Sequence, residues 1–424
     1  MALTVVMAVS LSSCGQSNQT PNTTAADTAT VNAINEAQAV TTAVAATQAS
    51  MEETTTTNYI DSFDAASKNY AISAIDNDVP CLYDFWKDYF KIGIAVTKNE
   101  IENDIKNEVI KKEFNSITCG NEMKADFLLD HKATLAQGDD VTPVLNFDQA
   151  DPILKFAEDN GIQMRGHTLC WYSQVPDWFF KAGWSDDKDA VNVTRDVMLK
   201  RLENYIKEVM DYCNTNYPGV IYCWDVANEA IEPADGNELG LRKCLWYDTV
   251  GNDFVERAFE YARKYAAPDQ KLFYNDYNCY DTNKRGYIID LVKRIQAEGN
   301  IDGVGMQSHI SMTYPTLDQY EDTILKFSRL GLEVQITELD VSLDSNTDEA
   351  FLEEGTRFKQ IFYMLKNLED TGKADITAVT VWGLDDADSW LLKDGERYPL
   401  LFTKMLETKP AFWGMLLESS VPLY

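Results

Sequence analysis

From about residue 80, eight short β-like runs alternate with stretches long enough for amphipathic helices, and this alternation leaves the chain few folds to choose from. The runs are 91–96, 116–121, 163–169, 221–228, 271–276, 303–309, 333–339 and 377–384. Between them, apolar residues recur every three or four positions. Over 194–213 they are Val197, Leu199, Leu202, Ile206, Val209 and Met210, a spacing that turns one side of a helix toward a sheet. Eight strand–helix units over roughly 340 residues predict a (β/α)8 TIM barrel with enlarged loops. The structural alternative is a doubly wound open sheet. It usually carries a Gly-rich phosphate loop after its first strand, and none follows 91–96.

A barrel of this kind places its active site at the C-terminal ends of its strands, so the residues there are informative. The fourth run ends at Asn228-Glu229 and the seventh at Glu338-Leu-Asp340. A carboxyl group is costly to bury without a partner or a task. Two of them at run ends suggest an acid and a nucleophile facing one cleft, the equipment for cutting a glycosidic bond. Asn121 and Lys124 follow the second run, and His167 and Trp171 close the third. Asn275 and Tyr277 close the fifth, Gln307 and His309 the sixth, and Trp382 with Trp390 the eighth. Two of the chain's three histidines, His167 and His309, therefore fall at the expected mouth. Trp171, Trp382 and Trp390 suit sugar binding, since a pyranose offers an apolar C–H face to a ring. No HxH or HExxH spacing supports a metal site, and nothing implies a cofactor.

Charge narrows the partners. A formal net charge of −31 argues against nucleic acid and against anionic lipid held by a basic patch. A neutral polymer substrate fits this balance, and a monomer is expected. Residues 2–13 form an apolar stretch too short to span a bilayer. With Cys14 they read as a lipoprotein-type signal segment over 1–14, the cysteine carrying a lipid anchor. No Lys or Arg precedes the stretch. Residues 15–77 are mostly rich in Thr, Ala, Asn, Gln and Ser, a composition expected to form a disordered tether. The expected arrangement is an extracellular, cell-surface lipoprotein of a bacterium with one folded domain over 78–418. Eight cysteines show no CxxC pair. Most are expected to be free and buried, with one disulfide left open.

Five segments carry a resemblance: Arg165-Gly-His-Thr-Leu-Cys-Trp-Tyr-Ser-Gln174, Trp224-Asp-Val-Ala-Asn-Glu-Ala230, Gly303-Val-Gly-Met-Gln-Ser-His-Ile310, Ile336-Thr-Glu-Leu-Asp340 and Trp382-Gly-Leu-Asp-Asp-Ala-Asp-Ser-Trp390. They resemble the signature segments of family 10 glycoside hydrolases, mostly endo-β-1,4-xylanases, over about residues 80–418. The resemblance implies a retaining enzyme acting on xylan or xylo-oligosaccharides. It makes Glu229 the general acid and then base, Glu338 the nucleophile, and Asn228 the partner of the 2-hydroxyl. His309 and Asp340 would hold Glu338. Asn121, Lys124, His167, Trp171, Gln174 and Gln307 would bind donor-side sugars, Trp382 and Trp390 would wall the site, and Tyr277 and Asn275 would reach the acceptor side. Two carboxyls about 5–5.5 Å apart repel when both are charged, so one must keep its proton. Glu338, with a histidine beside it, is expected to be the ionised one.

The sequence departs from the family twice. Gly120 stands where a glutamate usually precedes Asn121, and Tyr172 where a histidine usually follows Trp171. The first departure suggests weaker distal donor binding and readier use of short or decorated oligosaccharides. Rival readings are a non-catalytic oligosaccharide-binding lipoprotein on the same barrel and a related glycosidase preferring β-glucan.

Overall fold

The computed structural model describes residues 70–423. Cys14, the signal segment and the linker up to residue 69 lie outside the described residues. Nine parallel strands are present among the described residues: β1 Lys91–Val96, β2 Ser116–Cys119, β3 Gln163–Trp171, β4 Ile221–Asn228, β5 Lys271–Asp276, β6 Gly303–Met306, β7 His309–Ser311, β8 Glu333–Ser342 and β9 Ile376–Val381. Neighbours pair in chain order from β1 to β6, β6 pairs with β8, β8 with β9, and β9 returns to β1. Eight strands thus close a ring, and the short β7 adds only to the outer end of β8. This is the expected (β/α)8 barrel.

All eight runs become strands, with shifted ends. The expected run 303–309 is divided, because Gln307 and Ser308 leave the ladder and Ser308 takes φ 66. The break brings His309 against Asp340 in β8. The helix expected over 194–213 spans Arg195–Asn216. Residues 70–77, assigned to the linker by composition, belong to the folded domain. Ala74 is buried, its N–H donates to Leu406 O at 2.8 Å, and the Tyr70 hydroxyl donates to Ser420 O at 3.0 Å. Backbone pairing to a distant segment, which composition does not encode, sets that boundary.

Strand side chains alternate between the barrel interior and the helix layer. In β8, Gln335 and Thr337 take the interior: Thr337 Oγ1 donates to Asn275 Oδ1 at 2.6 Å, and Gln335 meets the Arg165 guanidinium. Uniform alternation would then turn Glu338 and Asp340 outward. A register shift between Ile336 and Leu339 reverses the parity and brings both inward. In β4 a shift between Asp225 and Ala227 does the same, so Asp225 and then Asn228 both face the interior. Outside the ring, helices bury their apolar sides against it. Met198, Leu202, Ile206 and Val209 of helix Arg195–Asn216 are fully buried.

Candidate active site

A cleft of ≈ 790 Å³ opens at the C-terminal ends of the strands. Asn121, Lys124, His167, Trp171, Gln174, Asn228, Glu229, Tyr277, Gln307, His309, Glu338, Trp382 and Trp390 all line it. Of the sequence-predicted residues, Asp340 and Asn275 lie beneath its surface.

Glu338 is held on both oxygens. Asn275 Nδ2 donates to its Oε1 at 2.8 Å, and His309 Nε2 donates to its Oε2 at 3.2 Å. His309 Nδ1 in turn donates to Asp340 Oδ2 at 2.8 Å, and that oxygen also accepts Trp390 Nε1 at 2.8 Å. Burial alone would lower the His309 pKa. The charge of Asp340, its hydrogen bond and Glu338 reverse this and raise it from 6.5 to about 10. At neutral pH the ring is therefore an imidazolium donating to two carboxylates. Burial pushes the Glu338 carboxyl up, but the His309 hydrogen bond, the nearby histidines and Asn275 outweigh it and bring the group below 4.5. Glu338 is thus kept ionised although it is 5% exposed.

Glu229 stands just past β4 in a left-handed backbone conformation, φ 55. Its N–H donates to Asn275 O at 2.9 Å, and its Oε1 accepts from Gln307 Nε2 at 2.8 Å and Asn228 Nδ2 at 3.3 Å. Asn228 Oδ1 accepts from Gln307 Nε2 at 3.2 Å and from Asn275 Nδ2 at 2.9 Å. The two glutamates are therefore tied together through three side-chain amides. Asn275 uses one amide hydrogen on Asn228 and one on Glu338, and its oxygen accepts Thr337. It was expected to reach an acceptor sugar, yet it is fully buried. Its polar atoms are committed below the cleft, so it positions the glutamates.

On another wall, Lys124 Nζ donates to Gln174 Oε1 at 2.9 Å and Asn121 Oδ1 at 3.2 Å, and lies 4.9 Å from the Trp171 ring centre. Burial lowers its pKa, against the opposing charges of Glu338 and Glu229. His167 Nδ1 bonds Asp225 Oδ2 at 2.9 Å, and Arg165 Nε donates to the same oxygen at 3.0 Å. Trp382 meets His167 edge-on at 5.5 Å and His309 at 6.3 Å. Gly120 borders the cleft, where an added Cβ would make ordinary contacts with Val96 O at 3.5 Å and Thr97 Cγ2 at 3.7 Å.

Sequence reasoning gave no role to Arg165, Asp225 or Arg242. Charged residues inside predicted strands were the available signal for the first two. Arg242 lies in a loop whose return path has no sequence signal. A more open depression of ≈ 820 Å³ lies elsewhere, beside Asp151 and Tyr212. There Asp151 already accepts the hydroxyls of Tyr212 at 2.8 Å and Tyr217 at 3.0 Å, and we assign it no chemistry.

Two glutamates coupled through amides at the mouth of a (β/α)8 barrel define a two-carboxylate glycoside hydrolase. The glycosyl hydrolase family 10 model matches residues 81–417, and the chain belongs to that family. It is similar to endo-1,4-beta-xylanase B of Butyrivibrio fibrisolvens, 40% identical over 336 residues that form 78% of this chain and 52% of that protein. It is also similar to endo-1,4-beta-xylanase A of Thermotoga maritima, 40% identical over 356 residues, 82% of this chain and 31% of that protein. The chain thus spans about half, or less, of the length of these relatives. A similar solved structure is the N-terminal endo-1,4-beta-D-xylanase 10B of Clostridium thermocellum, with a CBM22-1 module and complexed with xylohexaose. The TM-score is 0.74 at 34% identity, covering 84% of this chain and 69% of that one.

Proposed function

We propose that the protein is a retaining endo-1,4-β-xylanase that cuts internal β-1,4-xylosidic bonds of xylan and xylo-oligosaccharides. The observation that carries this reading is the unequal holding of two coupled glutamates. Glu338 receives an imidazolium and an amide, which keep it anionic and aimed. Glu229 receives only neutral amide donors on its carboxyl and no imidazolium.

In the first step Glu338 attacks the anomeric carbon while Glu229 gives its proton to the departing glycosidic oxygen. The bond to the leaving sugar breaks, and a glycosyl ester forms on Glu338. Asn228 faces the sugar's 2-hydroxyl, where a hydrogen bond strengthens as positive charge develops. Once Glu338 is esterified its charge is gone, and Glu229, now a carboxylate, takes a proton from water. As that proton leaves, the water oxygen bonds to the anomeric carbon and the ester bond breaks, which returns Glu338 as a carboxylate and Glu229 as an acid and frees the sugar with its original anomeric configuration. Lys124, Asn121, Gln174 and His167 bind donor-side hydroxyls, Trp171, Trp382 and Trp390 supply ring faces, and Tyr277 serves the acceptor side.

Reducing-sugar release from xylan tests the reading against a binding-only protein, and a paired assay on carboxymethylcellulose tests it against a β-glucanase. Glu338→Ala should abolish turnover of every substrate. Glu229→Ala should keep the first step for aryl xylosides whose leaving group needs no added proton. Equal losses on good and poor leaving groups would overturn these roles.

We also propose a monomer, anchored through lipidated Cys14 on the outer surface of a bacterial cell. The apolar stretch 2–13 before that cysteine supports it. Labelled palmitate should enter the protein in a bacterial host but not its Cys14→Ala variant; equal labelling would refute the anchor.

A further inference from the structure

Glu229 needs its backbone held as well as its carboxyl. A left-handed conformation is unfavourable for a non-glycine residue, so something must keep φ at 55. On one side the Glu229 N–H is tied to Asn275 O. On the other side its carbonyl accepts Arg242 Nε at 2.9 Å. The chain between them leaves the barrel and returns: Glu232 N donates to Gly240 O at 2.8 Å, and Arg242 N to Ala230 O at 2.8 Å. That excursion delivers Arg242 beside the acid.

The guanidinium is fixed on three further sides. Its carbon lies 4.0 Å from the centre of the Tyr172 ring, Nη2 donates to the Tyr277 hydroxyl at 3.0 Å, and Glu232 Oε2 is 3.5 Å away. The Tyr277 hydroxyl closes the set by donating to Glu232 at 3.1 Å. Tyr172 and Tyr277 both line the cleft beside Glu229. The planar fork of arginine can reach a carbonyl and a hydroxyl while lying flat on a ring, and a lysine ammonium cannot.

We propose that Arg242 is a positioning residue for the acid/base, linking the aim of Glu229 to the Tyr172–Tyr277 wall. This rests on the reading of Glu229 as the group that protonates the leaving oxygen. Arg242 is not among the residues that line the cleft and acts through Glu229. Its loss lets the Glu229 peptide relax and moves the carboxyl off the line to the glycosidic oxygen. The damage therefore falls where proton donation is needed and spares bonds that break without it.

The test compares kcat/KM, which reports the first step, on xylotetraose and on 2,4-dinitrophenyl xylobioside. In Arg242→Met the value for xylotetraose should fall about 10–100-fold, while that for the activated aryl glycoside changes less than about threefold. Melting temperature serves as the folding control. If Arg242→Met does not fold, the same ratio is read on Arg242→Lys, which keeps the charge but loses the simultaneous reach to Glu229 O and Tyr277. Parallel losses on both substrates, or no loss on either, would overturn the proposal. An unaltered enzyme inert on both would instead sink the reading of the whole site.

Discussion

At the scale of single residues, the site separates groups that line the cleft from groups that hold them. Asn275 belongs to the second kind, having spent both amide hydrogens below the cleft. Asn275→Ala should lower kcat about 10–100-fold with KM changed less than threefold, because aim and charge at Glu338 suffer while the sugar-binding surface stays intact. A selective rise in KM for longer substrates would show an acceptor-side contact instead. His309 sets the ionisation of Glu338. Removing its imidazolium in His309→Asn takes away the largest influence opposing burial, so the Glu338 carboxyl rises. The acid limb of the kcat/KM profile should then move toward neutrality, and the rate at about pH 5 should fall tenfold or more. An unmoved acid limb would show that the imidazolium does not control the nucleophile. Glu229, Glu338, His309 and Asp340 were legible in the sequence because polar groups ending apolar runs stand out. The burial of Asn275 was not, since an asparagine at a strand end reads the same whether it faces substrate or a neighbouring carboxylate.

At the scale of elements, the β8 and β4 register shifts decide which side chains face the cleft. The runs were readable as strands from their apolar content alone. Their bulges were not, because a parity change depends on pairing with the next strand. The same limit explains the divided run 303–309. The end of β2 shows what absence does. Gly120 borders the cleft and admits a Cβ, with no contact closer than 3.5 Å. Gly120→Glu should restore a carboxylate to the donor side and steepen the rise of kcat/KM from xylobiose to xylotetraose by roughly 10-fold, about 1.4 kcal/mol. An unchanged slope, measured on purified oligosaccharides, would show that the missing carboxylate does not govern chain-length preference.

At the scale of the molecule, stability and charge pull against each other. Several carboxyls are buried away from the cleft. Burial raises Glu354 to about 8, Glu113 to about 7 and Asp386 to about 6. A carboxyl raised in the folded state binds its proton more tightly there than in the unfolded chain. The stability it confers is full below the ordinary carboxylate range and is lost as pH climbs through the raised value. His309 acts in the same direction up to about 10, and Glu338 in the opposite direction at acid pH. The melting temperature should therefore fall by a few degrees or more between about pH 5.5 and 8.5. A flat or rising profile would contradict it. Lys409 sits between two of these groups, 3.0 Å from Glu354 and 3.1 Å from Asp386, and donates to Tyr398 O at 2.8 Å. Lys409→Met should destabilise the fold more at about pH 8.5 than at about pH 5.5 in denaturant unfolding, because the cation matters most where the two acids are ionised; an equal loss at both pH values would contradict it.

The pairing of residues 70–74 with the end of the domain has a topological consequence. Tyr70 touches Ser420 and Trp413, and Ala74 is tied to Leu406. The first and last turns of the folded unit are therefore neighbours. A short peptide could join residue 70 to residue 421 and the chain could be reopened in a loop remote from the cleft, giving a circularly permuted enzyme with every cleft-lining group in place.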